Sequence, residues 1–168
     1  MKKIRSGRIL ILPCTISLAK SFILYGNDLK MASPVSIPER IPSDRMKGML
    51  PLLIELLELG CEADWWICFI IDLENQQFIG ELEVGVNLSN GGSVSFSLNF
   101  TDGQTEEEFA AEVIEGLLYY FEEMDSIQLI KTEIEEDRAG HKKILMNCGF
   151  KIERVEGPYC LLSKKLIE

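Results

Sequence analysis

Residues Ser93–Phe100 read S-V-S-F-S-L-N-F, a strict alternation of small polar and large apolar side chains. Successive side chains on a strand point to opposite faces. Val94, Phe96, Leu98 and Phe100 therefore demand one buried sheet face and leave Ser95, Ser97 and Asn99 on the other. Two upstream segments extend the pattern. Gln77–Val86 alternates too, with Phe78, Gly80, Leu82 and Val84 expected on one face and Glu81 and Glu83 on the other. Trp65–Leu73 is almost continuously apolar, as in a strand covered on both faces. Asn87–Gly92, closing with Asn90-Gly91-Gly92, reads as the hairpin turn between the last two strands. A chain with three such strands in succession must build a sheet.

The flanking segments carry helical spacing. Thr15–Tyr25 places Ile16, Ala19, Phe22 and Ile23 on one face, with Thr15 as cap and a stop at Gly26-Asn27. Residues 31–42 hold three prolines and read as a loop. Ser43–Leu59 reads as helix, capped by Ser43 or Asp44, with Pro51 breaking or restarting it. Thr105–Met124 is the strongest helix, opened by a T-x-x-E capping box of Thr105 and Glu108. Its apolar stripe runs through Phe109, Val113, Leu117 and Phe121. Arg8–Leu12 and Ile127–Glu135 read as strands, and Arg138–Asn147 as a short helix ended by Gly149. Phe150–Val155 and Tyr159–Lys164 read as strands around Gly157-Pro158. The order β-α-α-βββ-α-β-α-ββ is a mixed α/β (α+β) pattern. At 168 residues it is expected to form a single domain, 1–168.

Charge and cysteines narrow the function classes. Seventeen basic against 27 acidic residues give −10, which argues against a phosphate-gripping nucleic-acid binder and against a partner of anionic membranes. No apolar stretch reaches the ~18 residues of a membrane span. The basic start and short apolar run of residues 1–14 end at Pro13 without a small-residue cleavage site, so they read as a strand rather than a signal peptide. Cys14, Cys61, Cys68, Cys148 and Cys160 are odd in number and irregular in spacing. They read as reduced thiols of a cytoplasmic protein. One histidine and no paired ligand spacing argue against a metal.

Several strings, in order, resemble the GNAT acetyltransferase superfamily, in particular the branch of the ribosomal-protein alanine acetyltransferases. GRILILPCTISLAK is similar to that branch's opening strand and helix, and WWICFIIDLENQQFIGELEV to its central hairpin. FAAEVIEGLLYYFEEM is similar to the helix after the cofactor loop, and HKKILMNCGFKIERVEGPYCLLSKK to the closing helix and strands. The resemblance covers almost the whole chain. It implies acetyl transfer from acetyl-CoA to a small-molecule or peptide amine. It also implies that the strand bearing Leu98 and Phe100 pairs with the cofactor's pantetheine arm. Glu81 or Glu83 on the central strand would serve as the base, and pairing through exposed strands would give a homodimer.

The chain departs from the family pattern at two places. The phosphate loop, Q/R-x-x-G-x-G/A in the family, aligns with Thr105 to Ala110, so that Thr105 stands at the basic position and Glu108 at the first glycine, while Ala110 keeps the final small residue. Thirteen acids and one base, Lys131, lie between Asp102 and Asp137, a balance of −12. Like charges ~4 Å apart repel by roughly 1–4 kcal/mol. Acids in a first helical turn also complement the helix dipole, so the helix can be capped by its own side chains in place of a phosphate. Near the leaving thiolate, Arg138, His141 and Leu145 stand where the family carries Asn, Ser or Tyr donors. His141 becomes the candidate proton donor, with Arg138 a partner for the cofactor's 3′-phosphate. Three readings stay open: an N-acetyltransferase with a divergent loop, a degenerate binding or regulatory module that no longer takes CoA, and an enzyme using another acyl donor.

Overall fold

The computed structural model describes residues 1–60, 64–89 and 92–166. Eight strands form one sheet in the order β1-β2-β3-β4-β5-β6-β8-β7. The strands are β1 (Ile4–Ser6), β2 (Ile9–Pro13), β3 (Trp65–Asp72), β4 (Gln77–Asn87), β5 (Ser93–Phe100), β6 (Leu129–Glu135), β7 (Lys151–Glu156) and β8 (Tyr159–Lys165). The helices are α1 (Ile16–Ala32), α2 (Asp44–Glu58), α3 (Gly103–Glu122) and α4 (Ala139–Asn147). Every neighbouring pair is antiparallel except β5 and β6, which are parallel and joined through α3.

The apolar run of β3 supplies both faces of the sheet. Cys68 and Ile70 pack with α3 and α4, in a core that includes Phe109, Val113, Leu117, Phe121 and Leu145. Ile67, Phe69 and Ile71 pack with α1 and α2, against Phe22, Met46, Leu50 and Leu53. Phe69 sits between Phe22 and Phe78, with ring centroids 5.0 and 5.6 Å away. The alternating apolar residues of β5 all enter the α3-side core.

Four expectations are corrected. The chain opens with a hairpin rather than one strand: Gly7, at φ 48°, turns β1 back onto β2. α1 runs on to Ala32 and passes Gly26 through a kink at Tyr25 (φ −135°, ψ 31°). Pro51 lies inside one continuous α2. Lys47, whose carbonyl loses its partner there, is exposed as Pro51 is, so water can replace the missing N–H. The fourth concerns Phe78. The β3–β4 register slips between Ile70 and Ile71, which pair with Gly80 and Phe78, and leaves Ile79 extra. This bulge puts Phe78 in the α1/α2 core, on the same side as Glu81 and Glu83, and away from Leu82 and Val84. Asn90 and Gly91 of the expected turn, and Cys61, lie outside the described residues.

Candidate functional site

The site follows from a fork in the sheet. β5 and β6 pair only from Ser93/Leu129 to Phe96/Thr132. Beyond that point Ser97–Phe100 and Glu133–Glu135 separate, and their facing edges border a cleft of about 1040 Å³. Thr132 is buried at the fork, where its hydroxyl donates to the Phe96 carbonyl at 2.8 Å. Unpaired strand edges present N–H and C=O groups in a row. Such edges can pair with an extended segment that carries amides.

β4 and α2 form one wall. Glu81 is 3% exposed. Its Oε1 accepts from the backbone N–H of Ser43, the α2 cap, at 2.5 Å. Burial pushes its carboxyl above the ordinary glutamate range, against the lowering pull of Ser43, Lys47 and Asn99. Glu81 also borders a second cavity of about 570 Å³, formed with the 39–44 loop, so it stands between two openings. Glu83 accepts from the Trp65 indole N–H at 3.0 Å and pairs with Arg45 at 2.9 Å. Alternation with Leu82 and Val84, which enter the α3-side core, puts both carboxylates on the opposite sheet face, at this wall.

The helix end of the cleft is filled by the chain itself. α3 begins at Gly103, two residues before the expected start. Asp102, not Thr105, is its cap: Asp102 accepts from the Thr105 N–H at 2.8 Å and from the Thr105 hydroxyl at 2.9 Å. Those bonds hold the Asp102 carboxyl below the usual aspartate range. The Thr105–Glu108 capping box does not form. Instead Glu108 turns away to Arg8, at 2.8 Å, and Arg8 also bonds Glu112 and lies 4.4 Å over the Phe109 ring. Ala110 is fully buried in the α3-side core. Thus the segment aligned with a phosphate loop is helix, its amides committed to the Asp102 side chain at Thr105 and to the helix ladder from Glu106 on.

Glu106 reaches across to α4. Its carboxylate takes hydrogen bonds from the Arg138 guanidinium and from Nδ1 of His141. His141 is 3% exposed, and burial, with Arg138 beside it, holds its imidazole below the ordinary histidine range. Arg138 and Glu106 line the cleft; His141 stands behind them. Leu98 and Phe100 line it from β5. Six acids (Glu81, Glu83, Asp102, Glu106, Glu133 and Glu135) face three bases (Arg45, Lys131 and Arg138) around the cleft. Sequence reasoning missed the roles of Asp102 and Thr132 and the Glu106 link to α4. Only Asp102 gave a signal, as a favoured cap residue before Gly103-Gln104-Thr105.

No protein-family model matches the sequence, and no curated protein matches it. Solved structures do match. A GNAT-family acetyltransferase from Bacillus anthracis is 11% identical, with 99% of this chain and 100% of that one covered, at a TM-score of 0.66. The chain has the GNAT acetyltransferase fold. A ribosomal-protein alanine acetyltransferase from Vibrio fischeri is 15% identical over 100% and 98% of the two chains, at 0.58. RimL, a ribosomal-protein N-acetyltransferase solved with coenzyme A, is 11% identical over 98% of each chain, at 0.66.

Proposed function

We propose that the protein is a cytoplasmic, single-domain N-acetyltransferase for a cationic amine, with the β5/β6 fork as the donor slot. The observation that supports this most is the fork itself, which opens into the cleft that holds buried Glu81. The residues fit acetyl-CoA at one end and less well at the other. The edges Ser97–Phe100 and Glu133–Glu135 suit its amide-bearing arm. Asp102 and Glu106 occupy the ground where its diphosphate would seek helix amides and Arg138. Bound in the fork, the cofactor supplies an acetyl group activated as a thioester.

The chain's own residues do the rest. An amine that enters the cleft meets a surplus of carboxylates, which attracts cations and raises their local concentration. Glu83, fixed by Trp65 and Arg45, orients the ammonium. Glu81 takes the proton that must leave before nitrogen can attack, and its raised carboxyl pKa makes it a stronger base than an ordinary glutamate. The second cavity gives that proton, or the amine, a route to solvent. His141 is sequestered behind Glu106, so we assign it to positioning Glu106 rather than to proton donation. Cys14 and Cys68, buried thiols with pKa values pushed up to about 12, fit a reducing compartment.

The self-capped α3 end favours a second reading, a cleft that binds the amine without CoA. One experiment separates them: release of free thiol from acetyl-CoA with a panel of polyamines and basic peptides, with Glu81→Gln as control. Transfer that depends on Glu81 supports the first reading. Amine binding by calorimetry with no thiol release would leave the second.

A further inference from the structure

Glu81 belongs to the wall between two cavities. The cleft at the fork is one. The other, of about 570 Å³, has the volume of a small-molecule pocket. It is formed by the 39–44 loop, Lys47 near the start of α2, Gly80 and Glu81 on β4, and the end of β5. Ser43, Glu81, Asn99 and Phe100 border both cavities.

The lining of the second cavity is graded. Glu81 is its one buried charge, and Ile41, Pro42 and Phe100 are buried beside it and give it apolar sides. Glu39, Arg40, Asp44 and Lys47 are exposed, two acids and two bases whose charges cancel. They are not equally engaged. Lys47 pairs with Asp44 at 3.4 Å, and the Lys47 charge is felt at Glu81, where it favours the carboxylate. Arg40 has no ion-pair partner among the described residues. The cavity therefore runs from a buried carboxylate, past apolar walls, to a free guanidinium. A buried carboxylate draws an ammonium toward itself and turns a second carboxylate away. A guanidinium offers a planar fork that a carboxylate meets with two N–H bonds. A plain alkylamine satisfies only the first of these groups; a molecule with an amine at one end and an acid at the other satisfies both.

We propose that the second cavity is the acceptor site and takes a zwitterionic small molecule, its ammonium at Glu81, its methylenes along Ile41, Pro42 and Phe100, and its carboxylate at Arg40. The assignment rests on Glu81 being the base of the proposed transfer. In that transfer the nitrogen bonds the acetyl carbon as the carbon–sulfur bond breaks. The ammonium loses two protons in all, one through Glu81 to solvent and one to the departing sulfur.

The test compares glycine, β-alanine and γ-aminobutyrate with the alkylamines of the same length, on the full chain. Calorimetry without acetyl-CoA reads binding alone, and thiol release with acetyl-CoA reads transfer. The best of the three zwitterions should bind at least about tenfold tighter than its alkylamine, the gain expected of a charge-assisted hydrogen-bonded pair. Arg40→Gln should erase that preference. Arg40→Glu should reverse it in favour of the diamine of the same length. Arg40 is exposed, so neither change should move the melting temperature. Zwitterions that bind no tighter than their alkylamines would overturn the proposal. So would a preference that survives Arg40→Glu. Arg40-dependent binding with no thiol release would uphold the zwitterion site and overturn the transfer reading on which its acceptor role rests.

Discussion

Removing the Glu106 charge should loosen the fold and tighten donor binding at the same time. Glu106 is 18% exposed and accepts from Arg138, which is 32% exposed, and from His141. Glu106→Gln keeps an oxygen for His141 but deletes the ion pair. A hydrogen bond to a charged group contributes roughly 1.5–3 kcal/mol. Arg138 is a third exposed, and water recovers part of that, so the loss should be about 1–2 kcal/mol. In a chain of this size each kcal/mol moves the melting temperature by ~2–4 °C. A fall of about 2–8 °C is expected by scanning calorimetry. The same change removes a negative charge beside the place a diphosphate would take and frees Arg138. One repulsive charge ~4 Å away costs roughly 1–4 kcal/mol. CoA affinity should therefore rise by at least about fivefold in titration calorimetry. Stability lost with affinity unchanged or lower would refute the view that Glu106 fills a phosphate position.

Four further outcomes follow from buried Glu81 and from the tight turn at Gly92. Glu81→Gln should cut kcat by ~10²–10⁴ in a thiol-release assay, the usual contribution of a general base. The fold favours protonated Glu81, so its contribution to stability is full below the ordinary glutamate pKa and is lost as pH rises through the raised value. The Gln variant should accordingly melt no lower than the wild type at pH 7, and a lower melting point would contradict the burial argument. The pH profile of kcat/KM should show a rising limb with an apparent pKa above the ~4.3 of a free glutamate, and a limb at or below that value would exclude Glu81 as the base. Gly92→Ala should destabilise severely, because a Cβ there lies 1.7 Å from the Ser126 carbonyl oxygen at a φ of +67°. Chemical denaturation checks this, and a variant as stable as the wild type would mean the β5–β6 start is built differently.

The sequence conveys the strands better than the site. β5 is found to the residue because its alternation has no competing pattern. Alternation alone puts Phe78 on the wrong face, because a bulge at Ile79 leaves no mark in an alternating string. The expected start of α3 falls two residues late because Thr105 and Glu108 match a capping box, while Asp102 and Gly103 also read as turn residues. Glu106, Glu107 and Glu108 look alike in sequence, yet Glu106 and Glu108 have different partners. Glu106 joins Arg138 and His141, and Glu108 joins Arg8, a hundred residues away in the chain. Such long-range pairs depend on the crossover through α3, which local spacing does not encode. The carboxylates Glu81 and Glu83 are legible as a shared face, but their burial and their bonds to Ser43, Trp65 and Arg45 are not.

Titration of acetyl-CoA into the wild-type protein, at low and moderate salt, tests donor binding in the fork most directly. The account predicts saturable binding with a dissociation constant below about 1 mM, held chiefly by the β5/β6 edges. Absence of binding at both salt concentrations, in the wild type and in Glu106→Gln alike, would contradict it and leave an amine-binding module on an acetyltransferase fold.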